Sequence, residues 1–204
     1  MKIFSYPLGE LQANCYFLVN DKECIIIDPG DSADFILEKI QIENLKVHAL
    51  FATHGHFDHV MAAGELQMSL KAPFYIADED LFLLKRVTET ARHFLGHVPA
   101  IIQPKETKNL KGGKMKIESF EFEVIEVPGH TPGSRCFYFK DEKTIFTGDT
   151  LFKEAIGRYD FSYSDKSLLR ESLEKLYLLP EDTLVYAGHG DITTIGEEAK
   201  RRII

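Results

Sequence analysis

Thr53-His54-Gly55-His56-Phe57-Asp58-His59 is the stretch on which the fold of this chain turns. Four metal-ligand side chains, His54, His56, Asp58 and His59, fall within six residues. They follow residues 47–53 (VHALFAT), an apolar run of strand length. A strand end followed by a glycine-containing turn aims alternate side chains into one space. His54 and His56 are then expected to face the same way. Asp58 and His59, at the start of the next helix, are expected to point to an adjacent place. Neutral imidazole and carboxylate are donors that suit zinc, iron or manganese. A polar turn in which Asp58 caps a helix would account for one histidine, but three beside an aspartate point to metal.

Moving outward, the same arrangement recurs three times. Pro128-Gly129-His130-Thr131-Pro132-Gly133-Ser134 follows an apolar strand at 122–127. Phe146-Thr147-Gly148-Asp149-Thr150 repeats it with an aspartate, and Val185-Tyr186-Ala187-Gly188-His189-Gly190 with a histidine. Each is an apolar strand, a glycine and a ligand, and together the four stretches hold five of the eight histidines. Seven donors exceed what one tetrahedral ion uses, so two ions are implied. A natural division gives His54, His56 and His130 to one and Asp58, His59 and His189 to the other, with Asp149 bridging. Each ion then keeps a position for water, as catalytic sites do. A hydroxide held between ions ~3.5–4 Å apart is a nucleophile at neutral pH, because coordination lowers the pKa of water from ~15.7 to about 7. The chain has no G-x-S-x-G elbow that would supply a serine nucleophile instead.

The remainder of the chain fits a layered α/β protein. Its 204 residues are 44% hydrophobic and 27% charged, enough to bury a core without a disulfide or a structural metal. A net charge of −8 argues against a nucleic-acid partner. Cys15, Cys24 and Cys136 share no short spacing and read as buried thiols in a reducing compartment. The N-terminal segment holds Glu10 and no long apolar run, and no stretch approaches the ~18 apolar residues of a membrane helix. Neither a signal peptide nor a membrane span is expected, and the location expected is cytoplasmic. CYFLV (15–19) and CIIID (24–28) read as a hairpin. Helices are expected after Ser32, over 60–70, 78–92, 166–178 and 196–204, and strands over 73–77, 120–127, 135–140, 144–146 and 183–187. The stretch 91–113, with Pro99, Pro104 and Gly112-Gly113, is irregular, so a helical and irregular insertion at about 78–113 is expected within a single domain spanning 1–204. His48, inside its apolar strand, reads as a satisfied core residue. His93 and His97, at i,i+4 spacing, read as solvated or locally bonded rather than as a third metal site.

THGHFDH, GHTPGS, GDTLF and GHG, in this order, resemble the metallo-β-lactamase fold family from the first hairpin to His189. The resemblance implies an αββα four-layer sandwich with the metal site at one edge of the two sheets, and the same division of ligands. Antibiotic-hydrolysing lactamases of the main subclass place cysteine where this chain has Asp149, so it does not look like one of those. PLGELQANCYFLV, GHTPGS, GDTLFKEAIGR and GHGDITTIGEE are similar to short, bacterial-type glyoxalase II, the hydroxyacylglutathione hydrolase. That likeness implies a dinuclear metal-dependent hydrolase with two divalent ions, zinc first, iron or manganese also fitting. A bridging hydroxide would attack the thioester carbon of a small substrate such as S-lactoylglutathione, releasing acid and thiol. Asp58 would also orient the hydroxide. Arg158 stands where relatives carry a basic residue that contacts glutathione, and it would grip a substrate carboxylate. Tyr159 and Tyr163 read as packing or surface residues. Two departures concern the substrate: the helical extension of full-length glyoxalase II is not expected after GHG, and Tyr159-Asp160-Phe161 replaces the usual Thr-Asp-Leu. The alternative from another enzyme class is a mononuclear iron persulfide dioxygenase of the same fold, against which the intact second ligand set counts. A nuclease is disfavoured by the charge, and a ligand-free scaffold by the complete set.

Overall fold

Strands β2 (Ala13–Asn20) and β3 (Glu23–Ile27) carry nearly unbroken apolar runs because both of their faces are covered. Cys15, Phe17, Val19, Cys24 and Ile26 face one core, while Tyr16, Leu18, Ile25 and Ile27 face another. The computed structural model describes residues 1–203. A six-stranded sheet runs in the order β1-β2-β3-β4-β5-β6, where β1 is Lys2–Leu8, β4 Lys46–Phe51, β5 Phe74–Ile76 and β6 Lys108–Asn109. Its outer face is packed by α1 (Ala33–Ile42), α2 (Phe57–Val60), α3 (Ala63–Leu70), α4 (Leu81–Lys85) and α5 (Val87–Leu95). The second sheet is built from β7 (Gly113–Ile117), β8 (Phe120–Glu126), β9 (Arg135–Phe139) and β10 (Thr144–Gly148). After a small ribbon of β11 (Leu151–Phe152) and β12 (Ala155–Ile156), it gains β13 (Leu184–Ala187) and β14 (Thr193–Thr194), giving the order β14-β13-β10-β9-β8-β7. Helices α6 (Lys166–Leu176) and α7 (Ile195–Arg201) cover it.

Three cores separate these layers, so the molecule is an αββα sandwich. The middle one is aromatic: Tyr16, Phe51, Phe122, Phe137, Phe139 and Phe146 interlock between the sheets. On the far side, Leu169, Leu173 and Leu176 of α6 are fully buried against Cys136, Ile145 and Val185. Each such leucine contributes roughly 1.5–3 kcal/mol of burial. The three thiols lie free in these cores, and burial pushes Cys24 up to about 12, which keeps it unreactive.

Several local features depart from the sequence-based expectations: the helix expected over 78–92 is a 3₁₀ turn (Asp78–Asp80) followed by α4 and α5, and strands β7 and β14 were not expected. Strand β1 was not expected, because it is an edge strand of mixed polarity containing Pro7, yet it pairs with β2 from Lys2↔Val19 to Leu8↔Ala13. The helix expected over 60–70 is two helices. Ala62 gives its N–H to the Pro29 carbonyl (3.1 Å) instead of to the carbonyl four residues back, which ends the first. Within the stretch 78–113, Lys108–Asn109 forms β6 and pairs with β5, so these residues belong to the first sheet. The last residue of the expected closing helix, Ile204, lies outside the described residues. No helix among the described residues is long and apolar enough to cross a membrane.

The direction of the strands decides where loops converge. β8 and β10 are both antiparallel to β9, and β13 is parallel to β10. The carboxyl ends of β8, β10 and β13 therefore emerge at one edge. The end of β4 reaches the same edge from the other sheet, where Arg135 donates its N–H to the Thr53 carbonyl (2.8 Å). Asn14 likewise donates its N–H to the Gly188 carbonyl (2.7 Å).

Candidate metal centre

All seven ligand-type residues meet at that edge. His54, His56, His130 and Asp149 form one group, and Asp58, His59 and His189 another, each with donor atoms within 4.8 Å of one another. In the first, His56 Nδ1 lies 3.0 Å from His54 Nε2 and 3.1 Å from His130 Nε2. In the second, His189 Nε2 lies 3.3 Å from Asp58 Oδ2, and His59 Nε2 3.8 Å from the same oxygen. Asp149 faces both groups, with Oδ1 3.4 Å from His59 Nε2 and Oδ2 3.7 Å from His130 Nε2 and 3.8 Å from His189 Nε2.

The outer nitrogens determine what the inner ones present. His130 Nδ1 and His189 Nδ1 donate to the carbonyls of Arg158 (2.8 Å) and Leu11 (3.1 Å), and a carbonyl only accepts. His59 Nδ1 donates to Asp28 Oδ2 (3.0 Å). His54 Nδ1 donates to Thr53 Oγ1 (3.0 Å), whose own proton goes to Asp28 Oδ2 (2.8 Å). Four imidazoles thus turn Nε2 inward. His59 Nε2 and Asp149 Oδ1 are buried with no hydrogen-bond partner. Carboxylates and imidazole nitrogens that converge there repel one another, and a cation, whether a proton on His59 or a metal ion, relieves this. The donor set and its outer contacts fit metal, as in sites where each ligating imidazole is held by a second acceptor.

The electrostatics of the two groups differ. Burial, followed by the neighbouring His59, His56, His130 and His189, holds His54 well below the ordinary histidine range. Burial, then His130, pushes His56 down to about 3. Both stay neutral and ready to ligate. Burial opposes charge on His59 as well, but Asp149, Asp58 and Asp28 outweigh it and raise the group to about 10. Burial works against the Asp58 anion too, yet His59 and His189 hold its carboxyl far below the usual range. The second group is therefore a strongly cation-attracting place, where a proton and a metal ion compete for the same His59 nitrogen.

Residues that no motif marked hold the loops in position. Asp28, at the end of β3, accepts from the Thr53 N–H (2.7 Å) as well as from Thr53 Oγ1 and His59. Buried Asp80 accepts from the Gly55 N–H (2.8 Å), the Gly133 N–H (2.7 Å) and Thr131 Oγ1 (2.7 Å), joining the loops of His54 and His130. An aspartate that ends an all-apolar strand, CIIID, was the one available signal for Asp28; Asp80 had none. Gly188 is required by close approach: a β-carbon there would overlap Asp149 Oδ1 and crowd the His59 ring.

Other residues singled out in the sequence sit as follows. Arg158 lies at the rim, bidentate to Asp160 (2.8 and 2.9 Å) and with its guanidinium 4.4 Å from the centre of the Phe161 ring. Tyr163 is half-buried and packs against Phe161 and Phe82, and its hydroxyl is 2.8 Å from His56 Nε2. Tyr159 is exposed. His48 is not satisfied, for its Nε2 is buried without a hydrogen bond, 3.8 Å from Glu23. His93 and His97 do not share a helix face, because α5 ends at Gly96 with φ 76°, and His97 pairs with Glu10 (2.7 Å).

Comparisons with known proteins agree with this fold. The family model described as the metallo-beta-lactamase superfamily matches residues 8–189. The chain is 38% identical over 204 residues to the hydroxyacylglutathione hydrolase GloC of Haemophilus influenzae, covering 98% of this chain and 96% of the other. Among solved structures, the B3 metallo-beta-lactamase BLEG-1 is 35% identical with a TM-score of 0.91, covering 98% and 97% of the two chains. TTHA1623, solved in a di-iron-bound form, is 37% identical with a TM-score of 0.89 and 97% coverage of each chain.

Proposed function

This chain belongs to the metallo-β-lactamase superfamily, and on that premise we propose that it is a dinuclear metal-dependent hydrolase of small thioesters, glyoxalase II-like in its chemistry. The observation that carries the metal dependence is the orphaned pair, His59 Nε2 and Asp149 Oδ1, at the meeting point of imidazoles whose outer nitrogens are already committed. Likeness to GloC over nearly the whole of both chains supports the thioester assignment. When bound, a pair of divalent ions supplies Lewis acidity and makes hydroxide available at neutral pH. Zinc suits this donor set first, with iron and manganese as the ions to compare.

The protein's own groups have distinct parts in this scheme. Asp58 stays anionic, held there by His59 and His189. Its carboxylate would orient the attacking water. Arg158 can exchange Asp160 for a substrate carboxylate without changing its planar, paired geometry. The substrate is a small molecule, since a chain of net charge −8 does not favour a nucleic acid.

The test combines metal analysis with a panel of thioesters, a persulfide and a cephalosporin, each assayed with and without chelator. The expected result is two ions per chain and chelator-sensitive cleavage of S-lactoylglutathione or a related thioester, abolished by His56→Ala. A metal-loaded protein idle on every thioester would overturn the substrate class. One iron per chain with oxygen uptake on the persulfide would make the enzyme a dioxygenase, and turnover confined to the cephalosporin would make it a lactamase.

A further inference from the structure

We propose that Tyr163 is a positioning residue of the metal centre, its hydroxyl deciding which nitrogen of His56 faces the ion; this rests on the metal reading above. Four imidazoles present Nε2 inward, their Nδ1 protons held by a carbonyl, a carboxylate or a hydroxyl already committed to one. His56 is the exception in both respects. Its inward atom is Nδ1, 3.0 and 3.1 Å from the inward nitrogens of His54 and His130. Its outer atom, Nε2, is 2.8 Å from Tyr163 Oη. A lone pair on Nδ1 requires the proton on Nε2, and the phenol oxygen is the group placed to accept it. An outer acceptor of this kind fixes both the tautomer and the orientation of a ligating ring.

The tyrosine is itself held in place. Phe161 stacks on it with ring centroids 5.4 Å apart and planes 14° from parallel, and Phe82 meets its edge at 5.4 Å. Phe161 also lies against His56 at 5.2 Å. The hydroxyl is thus aimed by two aromatic neighbours, one of which also packs on the ring it serves. Relative to His56 it is 107 residues away in the chain, so no local motif joins them.

Tyr163→Phe keeps the stack and removes one oxygen. Metal-free wild type and variant are titrated with Zn(II) and with Co(II) against a competing chelator, and folding is followed by thermal melting. The expected result is that the ion held by His54, His56 and His130 binds about 10–100-fold more weakly in the variant, with a changed Co(II) absorption spectrum. The step belonging to Asp58, His59 and His189 stays within twofold. Nitrogen NMR of the loaded wild type is expected to show His56 protonated at Nε2. Equal affinities at both sites in the two proteins would overturn the inference, as would His56 protonated at Nδ1. So would an equal loss at both sites, since that marks a general disturbance of the fold. A wild type that binds neither ion would overturn the metal reading itself and this inference with it.

Discussion

At the scale of single residues, the aspartates that are not ligands shape the centre as much as those that are. Asp28 serves Thr53 twice and His59 once. Asp28→Ala leaves those donors buried without partners, at about 1–3 kcal/mol each. The expected outcome is a lower urea midpoint together with a roughly 10–100-fold loss of affinity at the second site, read by denaturation and metal titration. Asp80 lends itself to a pH test. Burial raises its carboxyl above the ordinary value, against the bonds from Thr131, Gly55 and Gly133 and the charge of Arg135. The native state therefore holds this proton more tightly than the unfolded chain does. Its linked stability is complete below the unfolded value of about 3.9 and is lost as pH rises through the raised native value. Unfolding free energies of wild type and Asp80→Asn, compared along a pH series from about 3.5 upward, are expected to show the wild type's relative stability falling. A constant difference would count against this. The seven candidate ligands were legible in the chain because metal donors after strand ends form a pattern of residue types. Asp80 and Tyr163 were not, and Asp28 was marked only as an aspartate ending an apolar strand, because an acceptor for a buried N–H is defined only by what folds onto it.

At the scale of elements, helix α6 shows how a distant segment supports the site. Its N-cap Asp165 accepts from the Leu168 N–H (3.0 Å) and donates its own N–H to the Gly129 carbonyl (2.8 Å), while Ser164 Oγ donates to the His130 carbonyl (2.7 Å). Asp165→Ala removes the cap and keeps the backbone bond, so a loss of about 0.5–2 kcal/mol is expected with metal affinity unchanged. Chemical denaturation beside a metal titration checks both. The hairpin β2–β3 was readable from its paired apolar runs, and the amphipathic stripe of α6 from its leucines. Strand β1 was hidden, since an edge strand needs cover on one face only and its residues show no clean alternation. The break between α2 and α3 was hidden too, because it depends on the Pro29 carbonyl, which arrives from another part of the chain.

At the scale of the whole molecule, the candidate ligands come from both sheets: His54, His56, Asp58 and His59 follow β4 of the first, while His130, Asp149 and His189 follow strands of the second. Bound ions would therefore clamp the two halves together. Metal held at 100 times its dissociation constant adds about 2.7 kcal/mol to stability. For a chain of this size, that corresponds to a rise of roughly 5–10 °C in melting temperature. Calorimetry before and after chelation is expected to show this difference, and its reversal when metal is returned.

What the sequence determined by itself was the layered α/β class and the candidate metal donors, since both follow from residue types at fixed local spacings: apolar runs that need burial, and imidazoles and carboxylates after glycine turns. What only the tertiary structure decided was the meeting of β4 with β8, β10 and β13 at one edge, the commitment of each outer imidazole nitrogen, and the pairing of Tyr163 with His56. Those depend on strand direction and on contacts between residues far apart in the chain, where a donor acquires its acceptor only once the two sheets have closed on their shared aromatic core.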